Sequence, residues 1–187
     1  IAINDDHYDA ASGLNTDHAD SYLMVKLPAD GKYFFHIGDT RRQTGKAYAY
    51  RLRLSRPRPD FELRVVPSRI VLRSKASTAL TIYAFRKDGF DGPITVSFKD
   101  LPEGVEAAEA TVPEKKDVTR ITVKTSLVGM EKPINVTLLG AAKVGDQEIV
   151  REAVPAEDRM QAFLWRHLLP AETLPLLVYD SSYKPAE

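Results

Sequence analysis

The chain has 187 residues, enough for one large domain or two small ones, and a module of about 100 residues can bury a core of its own. Its 26 lysines and arginines balance 26 aspartates and glutamates, so no global field draws it to nucleic acid or to an anionic membrane. It has no cysteine, which excludes disulfide frameworks, thiolate zinc sites and cysteine nucleophiles, and no apolar run of about 18 residues that would span a membrane as a helix.

The chain opens on Ile1-Ala2-Ile3 without an initiator methionine or a visible signal peptide, and reads as a piece of a longer polypeptide. Residues 1–20 carry Asp5, Asp6, Asp9, Asp17 and Asp20 and no lysine or arginine, with Asn4, Ser12, Gly13 and Asn15 between them, the composition of a loop. Alternation begins at Ser21. Leu23, Val25 and Leu27 share one face of an expected strand, "PADG" at 28–31 is a turn, and Tyr33, Phe35 and Ile37 share one face of a second strand. Tyr48, Tyr50, Leu52 and Leu54 mark a third. Together these make an expected β-meander, too small to close a sandwich core alone.

"SRPRPD" at 55–60 is the best linker, because two prolines stiffen it. Beyond it, strands are expected at about 61–65, 70–73, 78–86, 94–99, 105–107, 119–125, 134–142 and 147–153, spaced as in an immunoglobulin-like β-sandwich. "RKDGFDGP", "LPEG" and "VGDQ" supply the turns. Leu80, Ile82, Ile94, Val96, Phe98, Ile121, Val123, Ile134, Val136 and Leu138 point to the core. In the tail, Met160, Phe163, Leu164 and His167 recur at helical spacing behind Ala156, Glu157 and Asp158, so a helix ending at Pro170 is expected there. "LPLLVYD" has strand character, as an added edge strand or the first strand of something further. The expected division is 1–57, 58–155 and 156–187, and the expected class is all-β.

"DSYLMVKLPADGKYFFHIGD" followed by "GKAYAYRLRLS" resembles the C-terminal half of the bacterial pre-peptidase C-terminal domain, a small β-sandwich appended to secreted proteases and other exported proteins. The likeness covers about residues 17–55 and rests on the turn from Leu27 to Tyr33, the aromatic strand ending at Asp39 and the following Tyr-Arg-Leu strand. The rest resembles bacterial immunoglobulin-like domains, with Leu101-Pro102-Glu103-Gly104-Val105 as the matching turn. These resemblances imply a partly jelly-roll-like first module, a secreted, periplasmic or cell-surface location, and an accessory or adhesive role.

Asp5, Asp6, Asp9, Asp17 and Asp20, with Asn15, are hard oxygen ligands of the kind calcium takes, but their spacing does not fit an EF-hand; a solvated loop is the favoured reading and a calcium site the alternative. His7 and His18 lie in the same stretch without regular ligand spacing, and His36 is expected to face solvent or a neighbouring strand. No G-x-S-x-G elbow and no cleft signature for paired carboxylates occurs, so no enzyme is expected.

Tyr48 and Tyr50, interleaved with Arg41, Arg42, Lys46, Arg51, Arg53, Arg56 and Arg58, are the candidate ligand-binding residues, for a glycan rather than nucleic acid. If they face inward with Leu52 and Leu54, the arginines stand on the solvated face. Asn135 heads an N-x-T pattern but falls inside an expected strand. The reading is a non-catalytic scaffold or docking module without a cofactor beyond calcium. Its expected partners are neighbouring domains, a glycan or a cell-surface protein, or a second copy paired through exposed strand edges. The alternatives are a calcium-assisted glycan-binding module and an accessory region of a secreted protease.

Overall fold

The structure is a computed structural model that describes residues 1–13, 16–160, 166–180 and 182. It is almost entirely β. A short hairpin pairs β1 (His7–Tyr8) with β2 (Asp17–His18) around a single 3-10 turn at Ala10–Ser12. The other strands lie beyond residue 59: β3 (Asp60–Val66), β4 (Ile70–Arg73), β5 (Ser77–Lys87), β6 (Ile94–Phe98), β7 (Val105–Ala107), β8 (Ala110–Val112), β9 (Val118–Thr125), β10 (Ile134–Asn135), β11 (Leu138–Val144), β12 (Gln147–Met160), β13 (Arg166–Pro170) and β14 (Pro175–Tyr179).

One large sheet runs β7-β9-β5-β3-β12-β11-β6-β8, with β13 added to β12, and a small sheet runs β10-β14-β4. The alternation in "TALTIYA" places Leu80 and Ile82 on one face, and both are fully buried. The same period buries Ile94 and Val96 on β6, and Ile121 and Val123 on β9. These faces meet because the large sheet curls. Leu63 on β3 and Gly140 on β11, two places apart in the strand order, approach so closely that a Cβ built on Gly140 would lie 2.2 Å from Leu63 Cδ1. The core is therefore apolar throughout, from Phe61 and Leu63 through Leu138 to Leu176 and Val178.

β12 makes the curl. It pairs antiparallel with β11 over 147–152, parallel with β3 over 153–155 and antiparallel with β13 over 156–160. Pro155 sits at the last change of partner, where a missing N–H costs least, and its carbonyl accepts the Ala171 N–H at 2.8 Å.

Several expectations are corrected. No strand forms between residues 19 and 59, so the meander is absent, and every residue there except Tyr33 is exposed. Alternation gives a strand one apolar face, but no second layer lies against it among the described residues, and unsupported strands do not persist in water. Among the described residues the tail is strand and not helix: 156–160 and 166–170 form an antiparallel ladder, and Met160 is exposed. Phe163, Leu164 and Trp165 lie outside the described residues. The strand expected at 134–142 is broken into β10 and β11, while the one expected at 147–153 continues to Met160. β14 is no edge: it lies between β10 and β4, with Leu176 and Val178 fully buried.

Candidate functional site

The described residues before 60 lie outside the curled sheet and are held to it by a few side chains. Arg64 is the first. It stands on the face of β3 opposite Leu63 and Val65, is only 7% exposed, and donates from Nη2 to the Ala11 carbonyl at 2.6 Å. Its guanidinium lies 5.7 Å from the Phe85 ring and 3.7 Å from Glu62, while its Nε has no partner. His167 on β13 is the second: it is 8% exposed, and its Nδ1 lies 3.0 Å from the Gly13 carbonyl. Because a carbonyl only accepts, that nitrogen carries the proton. Gly13 takes φ +82, and a Cβ there would meet Pro170 at 3.0 Å, so glycine is needed both for the backbone angle and for the close approach.

The acidic stretch is thus a docked hairpin. Asp9 caps the 3-10 turn, its Oδ1 accepting the Ala11 N–H at 2.9 Å, and its own N–H donates to the Thr16 carbonyl at 2.8 Å. Asp17 pairs with Tyr8 across the hairpin, while Asp5, Asp6 and Asp20 are exposed. Asn15 lies outside the described residues. Among the described residues, no group of three or more His, Asp or Glu side chains is placed to hold a metal ion.

Ser12 Oγ and His18 Nε2 are 2.9 Å apart, a hydroxyl and a base within reach of one another. The pair lacks the other parts of a nucleophilic site. No carboxylate among the described residues bonds the other nitrogen of His18, and the nearby Ala11 and Ser12 N–H groups are already spent on Asp9.

The segment 23–57 carries the second group of candidates. Tyr48 and Tyr50, expected to face inward, are 48% and 75% exposed, and Phe34 reaches 85%. Leu23, Val25 and Leu27, then Phe35 and Ile37, then Leu52 and Leu54 are all exposed as well. The Tyr48 hydroxyl bonds Gln43, Tyr33 closes the 28–31 turn onto the Ala29 carbonyl, and Asp39 caps a turn by accepting the Gln43 N–H. His36 is exposed, as expected. With eight lysines and arginines against two aspartates in residues 23–57, this arm is strongly basic in a chain that is neutral overall.

The arm's two ends converge on the turn after β5. Asp88 Oδ1 accepts the Tyr22 hydroxyl at 2.7 Å and Oδ2 accepts the Arg58 N–H at 2.8 Å. Those two hydrogen bonds, with Arg53 and Arg58 nearby, hold the Asp88 carboxyl below the usual carboxylate range; the same carboxylate pushes the Tyr22 phenol up. The His7 ring lies 4.9 Å from that of Tyr22. A groove of about 640 Å³ opens beside them, bordered by His7, Tyr22, Asp88, Lys115 and Asp117.

Sequence reasoning missed Arg64 and Asp88, and placed His167 on a helix where the structure has a strand. Asp88 has a local signal, since "KDG" favours a left-handed turn, and Asp88 does take φ +49. Arg64 and His167 have none, because each faces a segment far away in sequence. A scan against family models finds no match, and a search of curated proteins also finds none.

Proposed function

We propose that the chain is a non-catalytic scaffold and docking module of an exported bacterial protein, with the curled β-sandwich as the rigid body and the arm at 23–57 as the docking element. The observation that carries this reading is the arm itself: alternating apolar side chains, exposed and on backbone without ladder partners, hung from a sheet whose own core is complete. Extended segments of that kind bury their apolar face and satisfy their backbone by adding to another sheet. The resemblance of residues 17–55 to pre-peptidase C-terminal domains supports an exported, accessory role. It also covers service beside a secreted protease whose catalytic machinery lies elsewhere.

The test is amide hydrogen exchange across residues 23–57, measured with sedimentation over a range of concentrations. A docking arm exchanges at unprotected rates in the monomer and gains protection on assembly, whether with a neighbouring domain or with a second copy. Protection of 23–27, 33–37 and 48–54 in the monomer would sink the reading, since the arm would already have its partner.

A second reading rests on Tyr50 and Phe34. Aromatic rings this exposed, among arginines, suit stacking on sugar rings and pairing with acidic groups of a glycan. Titration with a polyuronate oligosaccharide, with calcium and with chelator, separates the readings: saturable binding lost in Tyr50→Ala favours the glycan, and no binding removes it.

A further inference from the structure

The two oxygens of Asp88 are shared between opposite ends of one segment. Tyr22 immediately precedes the arm and Arg58 follows it, yet both reach the same carboxylate, at 2.7 and 2.8 Å. We propose that Asp88 is a latch that closes the base of the arm and fixes the direction in which it leaves the sandwich. The latch does not depend on what the arm binds.

The turn aims the carboxylate. Asp88 and Gly89 both take left-handed angles, φ +49 and +80, and the Phe90 N–H closes the turn on the Lys87 carbonyl at 3.0 Å. Lys87 in turn is paired with Glu62 of β3, so the turn is an extension of the sheet and not a free loop. On the arm side the contacts are equally specific. The N-terminal stem is steadied by the Tyr22 N–H on Asn4 Oδ1 at 3.1 Å and by Met24, whose Cε lies 3.8 Å from the position a Gly89 Cβ would take. Arg53 and Arg58 favour the ionised carboxylate from the C-terminal stem.

Unstructured loops longer than about 12–15 residues are uncommon, and an arm of this length without a closed base would sweep a wide volume. Because one group serves both stems, removing it frees both together, whereas removing a single donor frees one. That asymmetry distinguishes a latch from general support of the turn.

The absence of cysteine makes the test clean. Spin labels at Lys26→Cys with Arg120→Cys report the N-terminal stem against the sandwich, labels at Ser55→Cys with Arg120→Cys report the C-terminal stem, and exchange of the Arg58 amide is followed separately. Asp88→Ala is expected to broaden both distance distributions and to speed Arg58 exchange about tenfold. Tyr22→Phe should broaden only the first and leave Arg58 exchange unchanged. Asp91→Asn, in the same turn but bonded to neither stem, should leave all three at wild-type values.

Unchanged distributions and exchange in Asp88→Ala would overturn the proposal. So would equal broadening in Asp91→Asn, which would assign the effect to the turn as a whole. Should Asp88→Ala fail to fold, as judged by its melting transition, Tyr22→Phe still decides: no change at the N-terminal stem sinks the latch.

Discussion

Arg151 straddles Asp60. Its Nε lies 3.0 Å from Oδ1 and its Nη2 2.8 Å from Oδ2, a two-pronged pair between the start of β3 and the part of β12 that has left β3 for β11. The ladder between β3 and β12 covers only 63–65 against 153–155, so this pair extends their alignment past the last hydrogen-bonded residues. Burial pushes the Asp60 carboxyl up, but Arg151, the Phe61 N–H and the charge of Lys87 outweigh it and hold the group below the usual range.

The folded state thus binds fewer protons at Asp60 than the unfolded chain does, so the pair stabilises above the ordinary carboxylate range and its contribution disappears as pH falls through the depressed value. Both side chains are more than a third exposed, so solvent screening keeps the effect to about 0.5–1 kcal/mol. Urea unfolding at neutral and acid pH should show Asp60→Asn losing that amount at pH 7 and matching wild type in acid. Arg151→Lys should recover little, since an ammonium cannot reach both oxygens in the fork geometry. Equal losses at both pH values would remove the pair from the account.

Gly140→Ala should destabilise by about 1–3 kcal/mol, because the new methyl would overlap Leu63 and press on Ile94 and Phe61 in a filled core. Gly145→Ala, at φ +60 in an open turn, pays only the backbone strain of about 1–2 kcal/mol. The comparison to make is the double variant Gly140→Ala, Leu63→Val: partial recovery there, and none on adding Leu63→Val to Gly145→Ala, would locate the first cost in the overlap.

Arg86 should prove costly to replace. It donates to the carbonyls of Gly92, Pro113 and Lys116 at 2.6, 2.9 and 2.8 Å, and its guanidinium lies 5.4 Å from the Phe90 ring, tying together the turns on either side of β6 and β8. Arg86→Ala is expected to lower stability by about 2–3 kcal/mol, with Arg86→Lys closer to alanine than to wild type. A lysine variant as stable as wild type would show that one charge is enough.

Arg64→Met should free the hairpin at 7–18 while leaving the sheet intact, since the methionine keeps apolar contact with Phe85 but offers no donor to Ala11. The Asp9 amide, bonded to Thr16 within the hairpin, is the reporter for exchange. His167→Phe, which removes the donor to Gly13, should act in the same direction. If neither variant changes the exchange of the Asp9 amide, the hairpin is held by its own turn.

Thermal unfolding with millimolar calcium and with chelator should coincide, because Asp9 is engaged as a cap and Asp17 lies within the hairpin ladder. A ligand of the native state alone raises the midpoint once its concentration exceeds its dissociation constant. A rise lost in Asp17→Ala or Asp20→Ala would restore the acidic stretch as a calcium site.

The strands of the sandwich were legible because their information is local. "TALTIYAFRK" alternates, is rich in β-branched and aromatic residues and ends at "DG", and these properties alone place β5 within one residue at each end. The tail was misread because Met160 and His167 satisfy a helical spacing by coincidence, and only pairing of 156–160 with 166–170 reveals the strand. Asp88 could be placed in a turn from its neighbours, but nothing in "KDGFDG" says that Tyr22 and Arg58 return to it.

By itself the sequence determined the class, the main turns and the inward face of most strands between residues 60 and 155, since period-two alternation and turn chemistry act between adjacent residues. Tertiary structure alone decided the rest. Alternation at 21–54 matches that of the true strands, yet without a second layer it stays an exposed arm. Arg64, His167 and Asp88 acquire their roles only because the curled sheet brings them against Ala11, Gly13, Tyr22 and Arg58. A strand's pattern states what it could bury; the burial itself depends on what the fold sets opposite.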